Sequence, residues 1–385
     1  MAAVVVSLAT DVSLKRLEAP CAYNRATDDL FQVNDDGFAF LERALAGAPA
    51  ADADPEFLAT CLAEGILVAA AAGAPARATT VTAVADAEPS LRYLLVHLTT
   101  RCNLRCGHCY LGDPAALDLP VELIAPLLDD FAGGGGLRLL LSGGEPLLHP
   151  RFHEINALLP DRDVRVVLLT NGTLLDRDTA ARLNVHEVQV SLDGMEAAHD
   201  ALRGTGSFAA ALAGLRTAKA AGLQVSVAST VNALDVPDFD DLAELVHDLD
   251  VWQWTIDVPS DAGRFADRPD LHVPLGAAAR VLHLSSPSGS HGDDEDYTCG
   301  AHLAAVMPDG AVCKCGLLPE VRGGNVRSGL QVAWRALPHQ RTATLGEACR
   351  ACAVLAECRG GCRYRAGGLL CEAPDPVQCY RFGVV

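Results

Sequence analysis

Three cysteines fall close together as Cys102-x3-Cys106-x2-Cys109, directly after an apolar run at 93–98 that reads as a strand. Three thiolates on a short loop can hold three irons of a cubane cluster and leave the fourth iron open to a chelating ligand. Four cysteines would instead close the site and suit it to electron transfer. The alternative is a structural zinc completed by His108, although zinc spacings ordinarily pair two CxxC units. One strand further on stands Ser142-Gly143-Gly144-Glu145-Pro146. Two glycines let the backbone approach a ligand closely, and free amides and carbonyls there suit an amino-acid head group; alone, Gly-Gly marks only a tight turn. Thr170-Asn171-Gly172 and Ser191-Leu192-Asp193-Gly194 end the next two strands. Asp193 is placed to accept bonds from ribose hydroxyls, as an acidic strand-end residue does in dinucleotide sites. Ordinary strand-end turn residues are the equal alternative for both segments.

Such loops need a scaffold that gathers strand ends. Six β-rich runs, at 93–98, 137–141, 164–169, 187–192, 223–230 and 252–258, alternate with helical stretches such as 121–131 and 208–221. The alternation predicts an α/β fold with a parallel sheet. Six units rather than eight predict an open, partial (β/α)6 TIM-like barrel over 91–290, with its chemistry at the C-terminal strand ends. Residues 1–68 read as a small winged-helix-like α+β unit. Strands are expected at 4–8, 21–24 and 30–33. A helix follows from Asn34 or Asp35 and carries Phe38, Leu41 and Leu45; a second starts at Asp54 and Pro55 and stops at Gly65. Residues 69–90 are alanine-rich and read as a linker. Residues 291–385 are cysteine-rich with few long apolar stretches, a segment expected to be held together by metal rather than by its own core.

The 385 residues are half hydrophobic and carry a net charge of −19, which disfavours nucleic-acid binding. No apolar run approaches the ~20 residues of a membrane span. The start lacks a basic segment and a cleavage site, so no signal peptide is expected and the protein reads as soluble and cytoplasmic. Of fourteen cysteines, nine crowd into 299–379. Clustering of this kind reads as metal binding rather than a disulfide framework. Cys299-x10-Gly310-x4-Cys315, with Cys313 close by, precedes Cys349-x2-Cys352-x5-Cys358-x3-Cys362, then Cys371 and Cys379. Eight or nine thiolates suffice for two further four-iron clusters or for one or two structural zincs.

The combination resembles the radical S-adenosylmethionine superfamily over residues 91–258. The likeness rests on the three loop cysteines, on His108 as the aromatic-type residue before the last of them, on Gly143-Gly144-Glu145-Pro146 and on the later strand ends. It implies that Cys102, Cys106 and Cys109 ligate a [4Fe–4S] cluster whose open iron chelates the amino and carboxylate groups of S-adenosylmethionine. Gly143, Gly144 and Glu145 would line the methionine moiety, and Ser191 and Asp193 the head group or ribose. Arg203, in His199-Asp200-Ala201-Leu202-Arg203-Gly204, would bind a carboxylate; an exposed arginine at a helix end is its plainer reading. An electron from a reduced flavodoxin or ferredoxin-type donor would cleave S-adenosylmethionine to methionine and a 5′-deoxyadenosyl radical, which abstracts hydrogen from an unactivated C–H bond.

The C-terminal spacing is similar to the SPASM extension of radical enzymes that modify peptides and proteins, which implies two auxiliary [4Fe–4S] clusters. Cys299, Cys315 and Cys362, with Cys313 as candidate fourth, would hold the nearer one. Cys349, Cys352, Cys358 and Cys379 would hold the outer one, with Cys371 competing for the last place. Gly316 stands where sulfatase-maturing members carry a catalytic aspartate, which argues against that activity. Residues 1–68 are similar to the peptide-recognition element of ribosomal-peptide maturases, in which a leader peptide adds as a strand to a sheet edge; a plain winged-helix module or a capping domain is the alternative. DNA binding is disfavoured by Asp28, Asp29, Asp35 and Asp36. The expected function is maturation of a ribosomally made precursor peptide. The alternatives are action on a cofactor or haem precursor, and a non-catalytic electron carrier or peptide-binding module.

Overall fold

The computed structural model describes residues 4–70, 88–160, 162–285, 296–298 and 300–384. Six strands run parallel in chain order: β1 (Tyr93–Thr99), β2 (Arg138–Gly143), β3 (Arg165–Thr170), β4 (Glu187–Ser191), β5 (Gln224–Thr230) and β6 (Trp254–Asp257). Each coincides with an expected run to within a residue or two. Alternate side chains serve two layers. Leu139, Leu141, Val166, Leu168, Val188, Val190 and Val227 are buried among Leu127, Phe131, Leu215 and Leu242 of the covering helices. The opposite set, including Leu95, Ser142, Leu169, Gln189, Ser191 and Ala228, lines the lumen. The barrel is therefore open and half-lined, with its C-terminal strand ends gathered around one cavity.

The sequence reading has its last strand at 252–258. Instead the sheet continues beyond β1 with β7 (Leu303–Val306), parallel to it, and an antiparallel hairpin, β8 (Ala311–Cys313) and β9 (Arg322–Asn325). Ala304, Val306, Val312, Leu330, Trp334 and Leu337 join the main core. This part of the C-terminal segment thus has an ordinary apolar anchor, where metal alone had been expected.

Residues 4–70 form a compact unit with its own core of Val6, Leu14, Phe38, Leu41, Cys61 and Leu67. The helix Asp35–Ala44 is capped by Asn34, whose Oδ1 accepts from Gly37 N–H; the helix Pro55–Ala63 is capped by Asp54, which accepts from Glu56 and Phe57 N–H. The expected three strands divide between two sheets. Val5–Leu8 pairs with Leu67–Ala70 and Ala48–Pro49, and a strand the sequence reading lacked, Val12–Arg16, pairs with Pro20–Asn24, which pairs with Asp29–Gln32.

This unit closes the N-terminal end of the barrel, opposite the cysteine loop. Arg165, with no exposed surface, fills the lumen there: it donates to Glu187 (2.7 Å), to Gln224 and to the carbonyls of Arg25 (2.7 Å) and Ala26 (3.2 Å). Lys15 reaches Asp163 O at 2.7 Å, and Arg138 pairs with Asp28. Tyr23, Leu17, Cys21 and Leu137 bury the joint. No helix among the described residues is long and apolar enough to cross a membrane.

Candidate functional site

The cysteine loop leaves β1 and is tied down on every side. Thr99 Oγ1 bonds Asp118 at 2.6 Å, and Gly107 N–H donates to Leu202 O at 2.8 Å. Asn103 donates to Thr173 Oγ1 (2.8 Å) and accepts from Asn171 (2.9 Å), so Thr170-Asn171-Gly172 knits the loop to the end of β3. Arg264 is the chief clamp. Its N–H meets Cys109 O (2.9 Å), its Nε meets Cys106 O (2.8 Å), and its Nη1 meets Gly112 O and Asp113 (2.6 Å). Gly263 before it packs so close that a Cβ would lie 2.3 Å from Cys109 O. Sequence reasoning missed Arg264, since a lone arginine in an irregular loop carries no periodic or motif signal.

Cys102 is exposed, Cys106 buried and Cys109 half-buried, and all three line a cavity of about 880 Å³ at the C-terminal strand ends. Burial pushes the thiols of Cys102 and Cys106 up, and the Arg203 guanidinium opposes it at both. His108 Nδ1 is buried with no partner among the described residues, and burial takes the imidazole down to about 4 despite Asp193, so it is neutral. Among the described residues no three His, Cys, Asp or Glu side chains converge on a single metal ion. The corners of a cubane cluster bind separate irons, so its thiolates need not converge on one point. Three cysteines on one cavity wall beside a guanidinium fit such a cluster.

The Gly-Gly segment was expected to offer free amides to a ligand. The structure places two of them elsewhere: Gly144 N–H donates to Thr99 O and Glu145 N–H to Arg101 O, both at 2.8 Å. Cβ atoms on Gly143 and Gly144 would lie 2.2 Å from Thr99 O and 2.3 Å from Arg101 O. The two glycines thus bring strand β2 against the cysteine loop, while both also line the cavity. Glu145 is wholly buried and accepts from Thr170 Oγ1 and Asn171 N–H at 2.9 Å, so its carboxylate holds the end of β3. Burial, against these bonds, pushes it up to about 7.

Ser191 and Arg203 face the cavity; Asp193 lies behind them, bonded to Arg203 at 2.6 Å. Buried His97 approaches Tyr110 Oη at 3.3 Å, beside Gly316. Cys315, Gly316 and Leu317 complete the cavity wall, which carries the C-terminal segment to the cysteine loop.

Of the C-terminal cysteines, Cys299 lies outside the described residues. Cys315 is raised by burial, and Cys362 is close enough to add to it. Cys349, Cys352, Cys358 and Cys379 form a second group: burial raises Cys358 and Cys379, with further contributions from Cys349 to both and from Cys352 to Cys379. Asp375 stitches the two groups together, accepting from Cys362 N–H at 2.8 Å and capping the helix Pro376–Arg381 that carries Cys379. Cys313 is fully buried in β8 and its Sγ donates to Pro319 O at 3.2 Å. Cys371 Sγ lies against Gly367, within the turn that buried Arg363 holds by Cys371 O and Ala373 O.

Residues 96–249 match the Radical SAM superfamily. An Fe-coproporphyrin III synthase of Methanosarcina barkeri is 36% identical over 160 residues, 40% of this chain and 40% of that protein. The mycofactocin maturase MftC of Mycobacterium ulcerans is 32% identical over 326 residues, 74% of this chain and 87% of that protein. The chain therefore spans less than half of the first relative and most of the second. Streptococcus suis SuiB, solved with S-adenosylmethionine, superposes with a TM-score of 0.65 at 13% identity, covering 94% of this chain and 96% of that one. SuiB has also been solved with its precursor peptide SuiA.

Proposed function

For a chain that belongs to the radical SAM superfamily, and is thereby a radical S-adenosylmethionine enzyme, we propose that the substrate is a ribosomally made precursor peptide. The reading assigns residues 1–68 to a winged-helix-like leader-binding domain, 69–90 to a linker, 91–290 to the barrel and 291–385 to a SPASM domain with two auxiliary clusters. Cys102, Cys106 and Cys109 would hold the barrel cluster. When bound, cluster and S-adenosylmethionine supply one-electron reductive cleavage and hydrogen abstraction from an unactivated C–H bond, the electron coming from a flavodoxin or ferredoxin-type donor. The chain's own residues do the rest. Arg264, Gly143 and Gly144 fix the cysteine loop. Ser191, His108 and Arg203 present polar groups to the cavity, and the strand faces of β1 to β5 exclude water below it.

The observation that carries the peptide reading is the N-terminal unit. It has a separate core and a strand, Asp29–Gln32, that pairs on one side only among the described residues. Such an edge accepts an added strand. The mycofactocin maturase aligns over most of its length, and SuiB, of the same fold, takes a precursor peptide. The second reading, a porphyrin substrate, is favoured by the likeness to the Fe-coproporphyrin III synthase. The test incubates reconstituted enzyme, reductant and S-adenosylmethionine with synthetic peptides taken from any short reading frame adjoining its gene, and separately with an iron tetrapyrrole precursor, assaying for iron coproporphyrin III. A mass change confined to the peptide is expected. Turnover of the porphyrin with an unaltered peptide would reverse the assignment.

A further inference from the structure

Asp193 ends β4, where the family resemblance would give it to the ribose or head group. Its side chain has no exposed surface, and it is not part of the cavity wall. Both oxygens are engaged: Oδ1 accepts from Thr230 N–H at 2.8 Å, and Oδ2 accepts from Arg203 Nε at 2.6 Å with His108 Nε2 at 3.3 Å. The Asp193 N–H donates to His199 Nδ1 at 3.0 Å. His199 and Arg203 stand one turn apart on the helix Glu196–Arg203, so one helix face returns twice to the same residue. That helix also accepts Gly107 N–H from the middle of the cysteine loop, at Leu202 O.

A carboxylate bound at Nε stops the guanidinium from turning and fixes the direction in which its two Nη groups are presented. Those groups point to the cavity side: Nη1 lies 4.0 Å from Cys106 Sγ and Nη2 3.5 Å from His108 Nε2. Behind Asp193, Gly194 leaves room for buried Asp235, which accepts from Asn232 N–H at 2.9 Å and Asn232 Nδ2 at 2.6 Å. Burial pushes the Asp235 carboxyl up to about 8, so Asp193 supplies the negative charge of this pocket at neutral pH. Burial alone would raise Asp193 as well, but the charge and hydrogen bond of Arg203 oppose it, and the carboxyl lies below the usual range.

We propose that Asp193 is a positioning residue that touches no part of S-adenosylmethionine and acts by holding the Arg203 guanidinium beside Cys106. This rests on the cofactor site alone and is independent of the peptide assignment.

The experiment measures S-adenosylmethionine binding to the anaerobically reconstituted enzyme by calorimetry, together with iron per chain and the electron paramagnetic resonance signal of the reduced cluster with and without the ligand. Asp193→Asn should weaken binding about 10- to 100-fold, the loss expected for one charge-assisted bond, with iron per chain unchanged. Arg203→Gln should weaken it at least as much, and the double variant no further than Arg203→Gln alone. The preference for S-adenosylmethionine over its 2′-deoxy analogue should be the same in Asp193→Asn as in the parent. Additive losses in the double variant, or a preference that vanishes with Asp193, would overturn the proposal and give the carboxylate to the ligand. Should Asp193→Asn fail to hold its cluster, the same preference measured in Asp193→Glu decides the question in the same way.

Discussion

Gly144→Ala isolates the close approach between β2 and the cysteine loop. The added methyl would stand 2.3 Å from Arg101 O and 2.8 Å from Thr100 O. Both are backbone atoms, so no side chain can swing aside. Reaching the 3.4 Å at which ordinary contact begins requires the strands to part by about 1.1 Å. That parting also breaks the Gly144-to-Thr99 and Glu145-to-Arg101 bonds on which the loop hangs. Misplacement of reacting groups by ~1 Å is worth on the order of 10²-fold in rate. The variant should bind iron in the barrel less firmly and form 5′-deoxyadenosine about 100-fold more slowly, in the same assay as the parent. Gly133→Ala is the control, because its methyl meets nothing within 4 Å. Deoxyadenosine formation within about twofold of the parent in Gly144→Ala would refute the claim that backbone contact at this glycine sets the loop.

Three further outcomes follow from other contacts. Arg165→Met strands the buried Glu187 carboxylate and the Arg25 and Ala26 carbonyls, and should cost about 3–5 kcal/mol; urea unfolding should register it, with faster hydrogen exchange at 20–32. Arg264→Ala removes the side-chain bonds to Cys106 O, Gly112 O and Asp113; iron should be lost to a chelator markedly faster, with Arg264→Lys recovering only part because it lacks the fork. Glu145 has its folded carboxyl raised from 4.5 to about 7. Its stabilising contribution is full below pH 4.5 and is lost as pH rises through about 7, so the stability of the parent relative to Glu145→Gln should fall by about 3 kcal/mol across that window; denaturation at several pH values checks the sign.

The six barrel strands were legible because their core-facing residues fall in short β-rich apolar runs that alternate with helical stretches, and the cysteine loop because its spacing is local. The caps at Asn34 and Asp54 were equally local. Val12–Arg16 escaped notice because it contains Lys15 and Arg16. Lys15 is buried only through its bond to Asp163 O, 148 residues away, and no window of sequence contains that partner. Leu303–Val306 is four residues, two of them alanine, and becomes a strand by pairing with β1. At the site, the residue types were readable but their partners were not. The amides of Gly144 and Glu145 serve the loop, Asp193 faces Arg203, and Arg264 reaches back from beyond β6; each of these follows from the closure of the barrel.

The most direct measurement is anaerobic reconstitution with iron and sulfide, followed by reductant and S-adenosylmethionine. About twelve irons per chain, as three four-iron clusters require, with 5′-deoxyadenosine formed and then abolished on changing Cys102, Cys106 and Cys109 to alanine, is the predicted result. Bound iron with no 5′-deoxyadenosine from any electron donor, or product that survives loss of the three cysteines, would contradict it.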